Sequence, residues 1–252
     1  MFLLHRSLTR ALLVFFAGIP VRVGYDEKKR GIFLTHKVTT QPKSSHRADH
    51  YLNVVESYGI PVNDRRSRLN LEGSDSVDQI IKPFGISSDD FIVIIHPGGN
   101  WDLKRWPAKR FAILMKRLVN ELKAKVIITG GENETALAQD IAAMSEVNPA
   151  ILAGKINLEQ LMHVMQRAKL VVSNDSGPLH LASSLGVKTI GLFGPTRPEI
   201  TGPRGVGTST VFEHFVGCNK KACYYLECPD NICMQAITVE EVFHAVSQIR
   251  SS

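Results

Sequence analysis

Asp175, Ser176, Gly177 and His180 share one turn and the helix start that follows it, inside the stretch KLVVSNDSGPLHLASSLGVKTIGLFGPT at residues 169–196. A carboxylate, a hydroxyl, a bare backbone position and an imidazole at a helix start are the parts of an anion seat. The first N–H groups of a helix have no partner inside it, and a phosphate settles on such an end. A second set, His96-Pro97-Gly98-Gly99-Asn100-Trp101-Asp102-Leu103-Lys104-Arg105-Trp106-Pro107, follows the apolar run FIVII. Gly98 and Gly99 let a backbone approach a ligand closely. Lys104 and Arg105 stand just before a helix that Pro107 can open. This is a phosphate cradle by composition, although not a Walker A motif. A third turn, Thr129-Gly130-Gly131-Glu132-Asn133-Glu134, follows KVIIT, and Glu132 is placed to accept hydrogen bonds from a ribose. Each set also has a plainer reading: a tight turn with surface cations, an acid favouring the next helix start, a histidine satisfied within its own helix.

The elements that must position these groups are readable from periodicity. Leu170–Val172 is a buried-strand pattern, Leu179–Leu185 a short apolar helix that Gly186 stops, and Lys188–Phe193 a second strand. Strand, helix and strand in that order make a parallel sheet. FIVII is continuous rather than alternating, as in strands covered on both faces. Helices are predicted near 107–123, 133–145 and 158–167, strands near 125–129 and 150–152, and VEEVFHAVSQI is an amphipathic C-terminal helix. In an open parallel sheet the loops at the carboxyl ends of the strands line the ligand crevice. All three sets above are such loops, and their convergence outweighs any one of them.

Upstream, residues 62–90 are polar and rich in Gly, Ser and Asp, and read as an interdomain connection with one helical turn. The start, MFLLHRSLTRALLVFFAGIPVRVGY, imitates a signal peptide, with Arg6 and Arg10 before an apolar run. The run is too short to span a membrane, and no A-x-A-like cleavage site follows. A buried strand and then a helix over 7–17 is the better reading.

The 252 residues are 44% hydrophobic and 21% charged, an ordinary globular composition for one large or two modest domains. Residues 1–50 hold nine Lys/Arg against three Asp/Glu, so the whole net charge of +6 resides there. That asymmetry suits an anionic partner or a solvated basic surface. No aromatic-interleaved basic tract of the RNA-binding kind is present. Nor is there a histidine pair of the H-E-x-x-H type. Cys218, Cys223, Cys228 and Cys233 recur every five residues in one C-terminal loop, compatible with two disulfides, a metal site or four free thiols. A reducing cytoplasm, which the lack of a clear export signal favours, disfavours the disulfides.

Taken together, HRSLTRALLVFFAGIPVRVGY, SSHRADHYLNVVESYGI, HPGGNWDLKRWP, ITGGENE, LAGKINLEQL, SNDSGPLHLASSLGVKTIGLFGPT and the tail C-x4-C-x4-C-x4-CM resemble glycosyltransferase family 9, the ADP-heptose:lipopolysaccharide heptosyltransferases. The resemblance implies an α/β fold of GT-B type: two Rossmann-like domains facing across a cleft. Here 1–61 would be the N-terminal acceptor-side domain, 62–90 the connection and 91–252 the nucleotide-sugar domain. It implies inverting transfer of a heptose from an ADP-sugar to lipopolysaccharide core at the membrane surface, in the cytoplasm. No metal, no other cofactor and no nucleic acid is expected. By the same resemblance, Lys104 matches the phosphate-binding lysine, Asp175, Ser176 and Gly177 the donor loop, and His180 the histidine beside it. Gly99 and Asn100 fall at phosphate-contacting positions, where some members carry hydroxyl residues. Glu132 matches the ribose-binding acid, and Ile156 lies where an apolar side chain covers the adenine.

Members of the family open with a strand and a G-D loop whose aspartate is the proposed base. No residue here matches that aspartate, so the catalytic base is unassigned and the N-terminal domain is expected to be incomplete by about half. On that reading these 252 residues transfer little sugar. The alternative is a nucleotide-binding module with the same donor crevice and no base. An epimerase would keep the sheet but needs an acid/base pair that is not evident.

Overall fold

The computed structural model describes residues 1–40, 42, 45–73, 75–218, 223 and 228–251. The chain divides into two compact units, Met1–Arg65 and Arg66–Ser252.

In the first unit β1 (Phe2–Leu3), β2 (Val23–Tyr25) and β3 (His36–Val38) form a parallel sheet in chain order, with α1 (Leu8–Phe16) and α2 (Arg47–Glu56). The helix expected over 7–17 is α1, with Ser7 as N-cap accepting from the Arg10 N–H at 3.4 Å. Tyr25 is fully buried and stacks on His50 at 4.1 Å. Its hydroxyl donates to the His50 carbonyl at 2.6 Å and accepts from Asn53 at 3.1 Å, so the polar tip of a buried ring is satisfied. Arg30 is fully buried too, its Nε donating to the Tyr25 carbonyl at 2.8 Å and its Nη1 to that of His5.

The second unit begins with α3 (Asp75–Ile81). It continues through β4 (Ile92–His96), α4 (Ala108–Leu122), β5 (Lys125–Ile128), α5 (Thr135–Ser145), β6 (Ala150–Ile151), α6 (Leu158–Arg167), β7 (Leu170–Asn174), α7 (Gly177–Ser184) and β8 (Lys188–Phe193). It ends with α8 (Pro198–Thr201), β9 (Ser209–Glu213), α9 (Ile232–Ala236) and α10 (Val239–Ser251). Six parallel strands lie in the order β6-β5-β4-β7-β8-β9. This is the doubly wound arrangement of an open, parallel α/β sheet. Its sheet is covered on both faces. Val93 and Ile95 of β4 pack with Leu114, Leu118 and Val242, whereas Ile92 and Ile94 pack with Val77, Val164 and Ala182. That double burial is why β4 reads as an unbroken apolar run.

Three features are not legible in the sequence pattern. Residues 66–90 group with the second unit. The Ser67 N–H donates to the Arg204 carbonyl at 2.7 Å and the Leu69 N–H to that of Ser184 at 2.9 Å. Instead of one helical turn, the segment carries α3, a seven-residue helix, and then a 3-10 turn at Lys82–Phe84. Finally, β9 is an edge strand that the sequence pattern does not announce. Its residues are half-buried or exposed, so it lacks the apolar signature of the strands inside the sheet.

Close backbone approach fixes one loop. A Cβ built on Gly205 would lie 2.0 Å from the Ser183 carbonyl carbon and 2.3 Å from the Ser184 nitrogen. Gly205→Ala must therefore push two backbone segments apart, and overpacking of this kind costs about 1–3 kcal/mol. A urea melt followed by fluorescence of Trp101 and Trp106, both in the second unit, should show a clearly lowered midpoint. An unchanged midpoint would mean that the 205 loop moves freely.

Candidate functional site

The strand order reverses between β4 and β7, so the loops leaving their carboxyl ends diverge and open a crevice. Residues 97–107 leave β4 and residues 175–177 leave β7. The two loops are tied together by Asn174, which is fully buried at the end of β7. Its Nδ2 donates to the carbonyls of Pro97 at 2.8 Å and Gly98 at 3.0 Å, and its Oδ1 accepts the Trp106 N–H at 3.0 Å. One side-chain amide thus fixes both ends of the cradle loop.

Asp175 follows, with 5% of its surface exposed. Its Oδ2 accepts from Lys104 Nζ at 2.7 Å and from Thr196 Oγ1 at 2.7 Å. Its Oδ1 stands 3.8 Å from His180 Nε2. Burial pushes the carboxyl pKa up, but His180, Lys104 and Thr196 outweigh it and hold Asp175 below the ordinary range. Asp175 is therefore ionised at neutral pH. Lys104 reaches this point from a 3-10 turn at Asp102–Lys104, with its ammonium also 5.1 Å from the Trp101 ring centre. An ammonium has three donors, and two stay available beside the carboxylate.

Ser176 is the N-cap of α7, and its hydroxyl pairs with Ser173 Oγ at 2.9 Å rather than capping the helix. The first-turn N–H groups of α7, of which Pro178 supplies none, are thus not capped by the Ser176 side chain. Gly177 is exposed and His180 half-buried on that turn. Asn100 is exposed. The Gly99 N–H, in contrast, already donates to Glu134 Oε1 at 3.2 Å. Glu132 is exposed beside β5, and Ile156 is half-buried against the core that includes Leu152 and Val164.

Sequence reading missed Asn174, Thr196 and Glu134. Asn174 closes an apolar strand and Thr196 ends a Gly-Pro-Thr turn. Only the pairing of β7 with β4 and β8 brings Asn174 to the β4 loop and Thr196 to Asp175. Beside this site the cavity of about 60 Å³ bordered by Leu103 and Thr196 is also lined by Cys218, Cys223, Cys228 and Cys233. All four are free thiols; 219–222 and 224–227 of their loop lie outside the described residues. Among the described residues no group of three His, Cys, Asp or Glu side chains is gathered to hold a metal ion. Nor is any helix among them long and apolar enough to cross a membrane.

A switch-point crevice with a lysine, a buried carboxylate and a helix start is the arrangement of a doubly wound α/β protein with a candidate anion site. The chain belongs to glycosyltransferase family 9 (heptosyltransferase), whose model matches residues 1–226. It is 29% identical over 211 residues to lipopolysaccharide heptosyltransferase 2 of Salmonella typhimurium, covering 79% of this chain and 61% of that one. The chain thus spans about three-fifths of the length of that curated relative. Two solved structures share the fold. The family 9 glycosyltransferase of Veillonella parvula superposes with a TM-score of 0.83 at 24% identity, covering 98% of this chain and 72% of that one. ADP-heptose lipopolysaccharide heptosyltransferase II of E. coli superposes with a TM-score of 0.78 at 23% identity, covering 99% and 75%. The expected GT-B class follows from these neighbours.

His96, at the end of β4, is buried under the crevice, with Nδ1 3.2 Å from Thr129 Oγ1 and Nε2 4.0 Å from Glu134 Oε2. Burial lowers its pKa, and Glu134 offsets this only in part. The native state therefore prefers the neutral ring, whereas the unfolded chain takes up a proton near pH 6.5. The stability this contributes is complete above that value and is lost as the pH falls below it. The urea midpoint of the second unit, read by tryptophan fluorescence, should drop between pH 7.5 and pH 5.5. His96→Gln should flatten that slope; an equal slope in the variant would remove His96 as its source.

Proposed function

We propose that this protein transfers a heptose from ADP-heptose to the inner core of lipopolysaccharide, with inversion and without a metal ion. The observation that carries the reading is Lys104 Nζ set 2.7 Å from the buried Asp175 carboxylate, beside the open first turn of α7. Family membership and the named activity of the relatives support it.

In such a transfer a base takes the proton of the acceptor hydroxyl, whose oxygen attacks the anomeric carbon as the bond to the diphosphate breaks. Charge grows on the leaving diphosphate. Lys104 and the α7 N–H groups meet that charge in fixed positions, the role a metal ion fills elsewhere. Asp175 keeps Lys104 pointed into the crevice. Glu132 and Ile156 are assigned the ribose and the adenine, and Ser176, Gly177, His180 and Asn100 the phosphate side, with Gly99 lining that side while its N–H stays bonded to Glu134. No residue of the chain is assigned the base. The basic residues of 1–50 suit a phosphorylated acceptor, at the cytoplasmic surface of the inner membrane.

Calorimetry should show that ADP binds equally well with and without EDTA; binding abolished by EDTA would remove the metal-free claim. Lys104→Ala should weaken ADP far more than adenosine, by about 1.5–3 kcal/mol for a lost charge-assisted contact. Equal losses for the two ligands would take Lys104 off the phosphate. Transfer itself is read with ADP-heptose and a heptose-deficient lipopolysaccharide acceptor. Donor binding with little product is the outcome expected of these 252 residues, which carry no assigned base; full turnover would mean that a base lies among them.

A further inference from the structure

Glu134 lies outside every role assigned above, yet its carboxylate joins two loops of the donor site. It sits on the 3-10 turn Glu132–Glu134 that follows β5. Its Oε2 accepts the Gly131 N–H at 2.8 Å, closing its own turn. Its Oε1 accepts the Gly99 N–H at 3.2 Å, from the loop that follows β4. The two loops are built to receive it. A Cβ on Gly98 would lie 2.0 Å from Oε1, and one on Gly130 would lie 3.0 Å from the Glu134 Cβ. A side chain at Gly98 would displace the Glu134 carboxylate, and one at Gly130 would crowd the Cβ atoms of Glu134 and Ala153. Beneath it, the buried His96 ring stands 4.0 Å from Oε2.

The connection continues to the lysine. The Gly99 carbonyl accepts from Arg105 Nη2 at 3.0 Å, and Lys104 is the residue before. The loop is thus held at its base by Asn174 and in its middle by Glu134. Between those anchors and Asp175 runs the short turn that aims Lys104.

We propose that Glu134 is a positioning residue of the donor site: it clips the Gly98–Gly99 loop to the Gly130–Gly131 loop and so fixes where Lys104 presents its charge to the diphosphate. The Gly99 N–H then serves the clip and not the ligand. Phosphate recognition passes to Lys104 and the first turn of α7. The inference rests on the ADP-donor reading and deepens it.

The test is a double-mutant cycle on ADP affinity by calorimetry with the full chain. Glu134→Ala should weaken ADP roughly tenfold, a loss in the range of one charge-assisted hydrogen bond. Glu134→Gln should fall between, since its one carbonyl oxygen can serve only one of the two N–H groups. If Glu134 acts through Lys104, the variant carrying both Glu134→Ala and Lys104→Ala binds ADP no more weakly than Lys104→Ala alone. A purely structural or a directly ligand-touching Glu134 gives additive losses instead, and additivity overturns the proposal. So does unaltered ADP affinity in Glu134→Ala. Should that variant fail to fold, the same cycle run with Glu134→Gln decides. Wild-type chain that binds no ADP refutes the donor reading itself, and the role of Glu134 falls with it. Wild-type binding with an additive cycle refutes the clip alone.

Discussion

The candidate site depends on a carboxylate that has been taken out of water. Asp175 is 5% exposed, and removing a charge from solvent costs several kcal/mol unless partners replace the lost hydration. Lys104 and Thr196 supply those partners on one oxygen, and His180 faces the other. Each partner comes from a different stretch of chain: Lys104 from the loop after β4, Thr196 from the turn after β8, His180 from α7. The buried charge therefore specifies how three loops meet, whatever its net contribution to stability. It also sets the electrostatics of the crevice. A lysine already paired to a carboxylate offers little net charge, so the partial positive charge at the α7 N-terminus becomes a substantial share of what an anion there would meet.

The strands place that carboxylate. β4 and β7 are adjacent and parallel, with Ile95 opposite Val172 and His96 opposite Ser173. Their continuation brings Asn174 against the Pro97–Gly98 carbonyls, so the cradle loop is fastened by hydrogen bonds rather than by packing. Trp106 closes the far end. Its backbone N–H goes to Asn174 and its indole N–H donates to the Ile237 carbonyl at 2.9 Å, which ties α4 to the C-terminal segment. Rigid strands and a few directed bonds thus carry a loop that must stay open to a ligand.

How far this was legible in the sequence varies with the range of the interaction. The double burial of β4 and β7 leaves unbroken apolar runs, and α4, α6 and α10 show their periodic stripes, so the doubly wound fold follows from local pattern. Gly186 ends α7 with φ 84°, a left-handed value that favours glycine. β9 is a half-exposed edge strand with little to mark it, and α3 sits in a polar segment whose fastening to Ser184 and Arg204 is remote in sequence. In the site, Lys104, Asp175, Ser176 and His180 stand out by type and by position after a strand. What periodicity does not reveal is that Lys104 and Asp175, 71 residues apart, bond to each other. Glu132 and Glu134 are two residues apart in one acidic turn. Only the 3-10 geometry decides that Glu132 points to solvent and Glu134 into the loop junction.

The C-terminal segment meets the same structure from the other side. The Cys223 N–H donates to the Pro195 carbonyl at 2.8 Å, one residue before the threonine that holds Asp175. Met234 of α9 presses on Gly194, where an added Cβ would lie 2.4 Å from its Cγ. The turn Gly194-Pro195-Thr196 is thus gripped from outside by the cysteine-bearing segment and from inside by the buried carboxylate. Asp175 can order three loops at once because each is also anchored elsewhere: the β4 loop by Asn174, α7 by the apolar core beneath Leu179 and Ala182, and the β8 turn by α9. A charge buried among partners that were themselves free to move would relax toward water. Here the partners are fixed first by packing and backbone bonds, and the ion pair is left to choose among very few geometries.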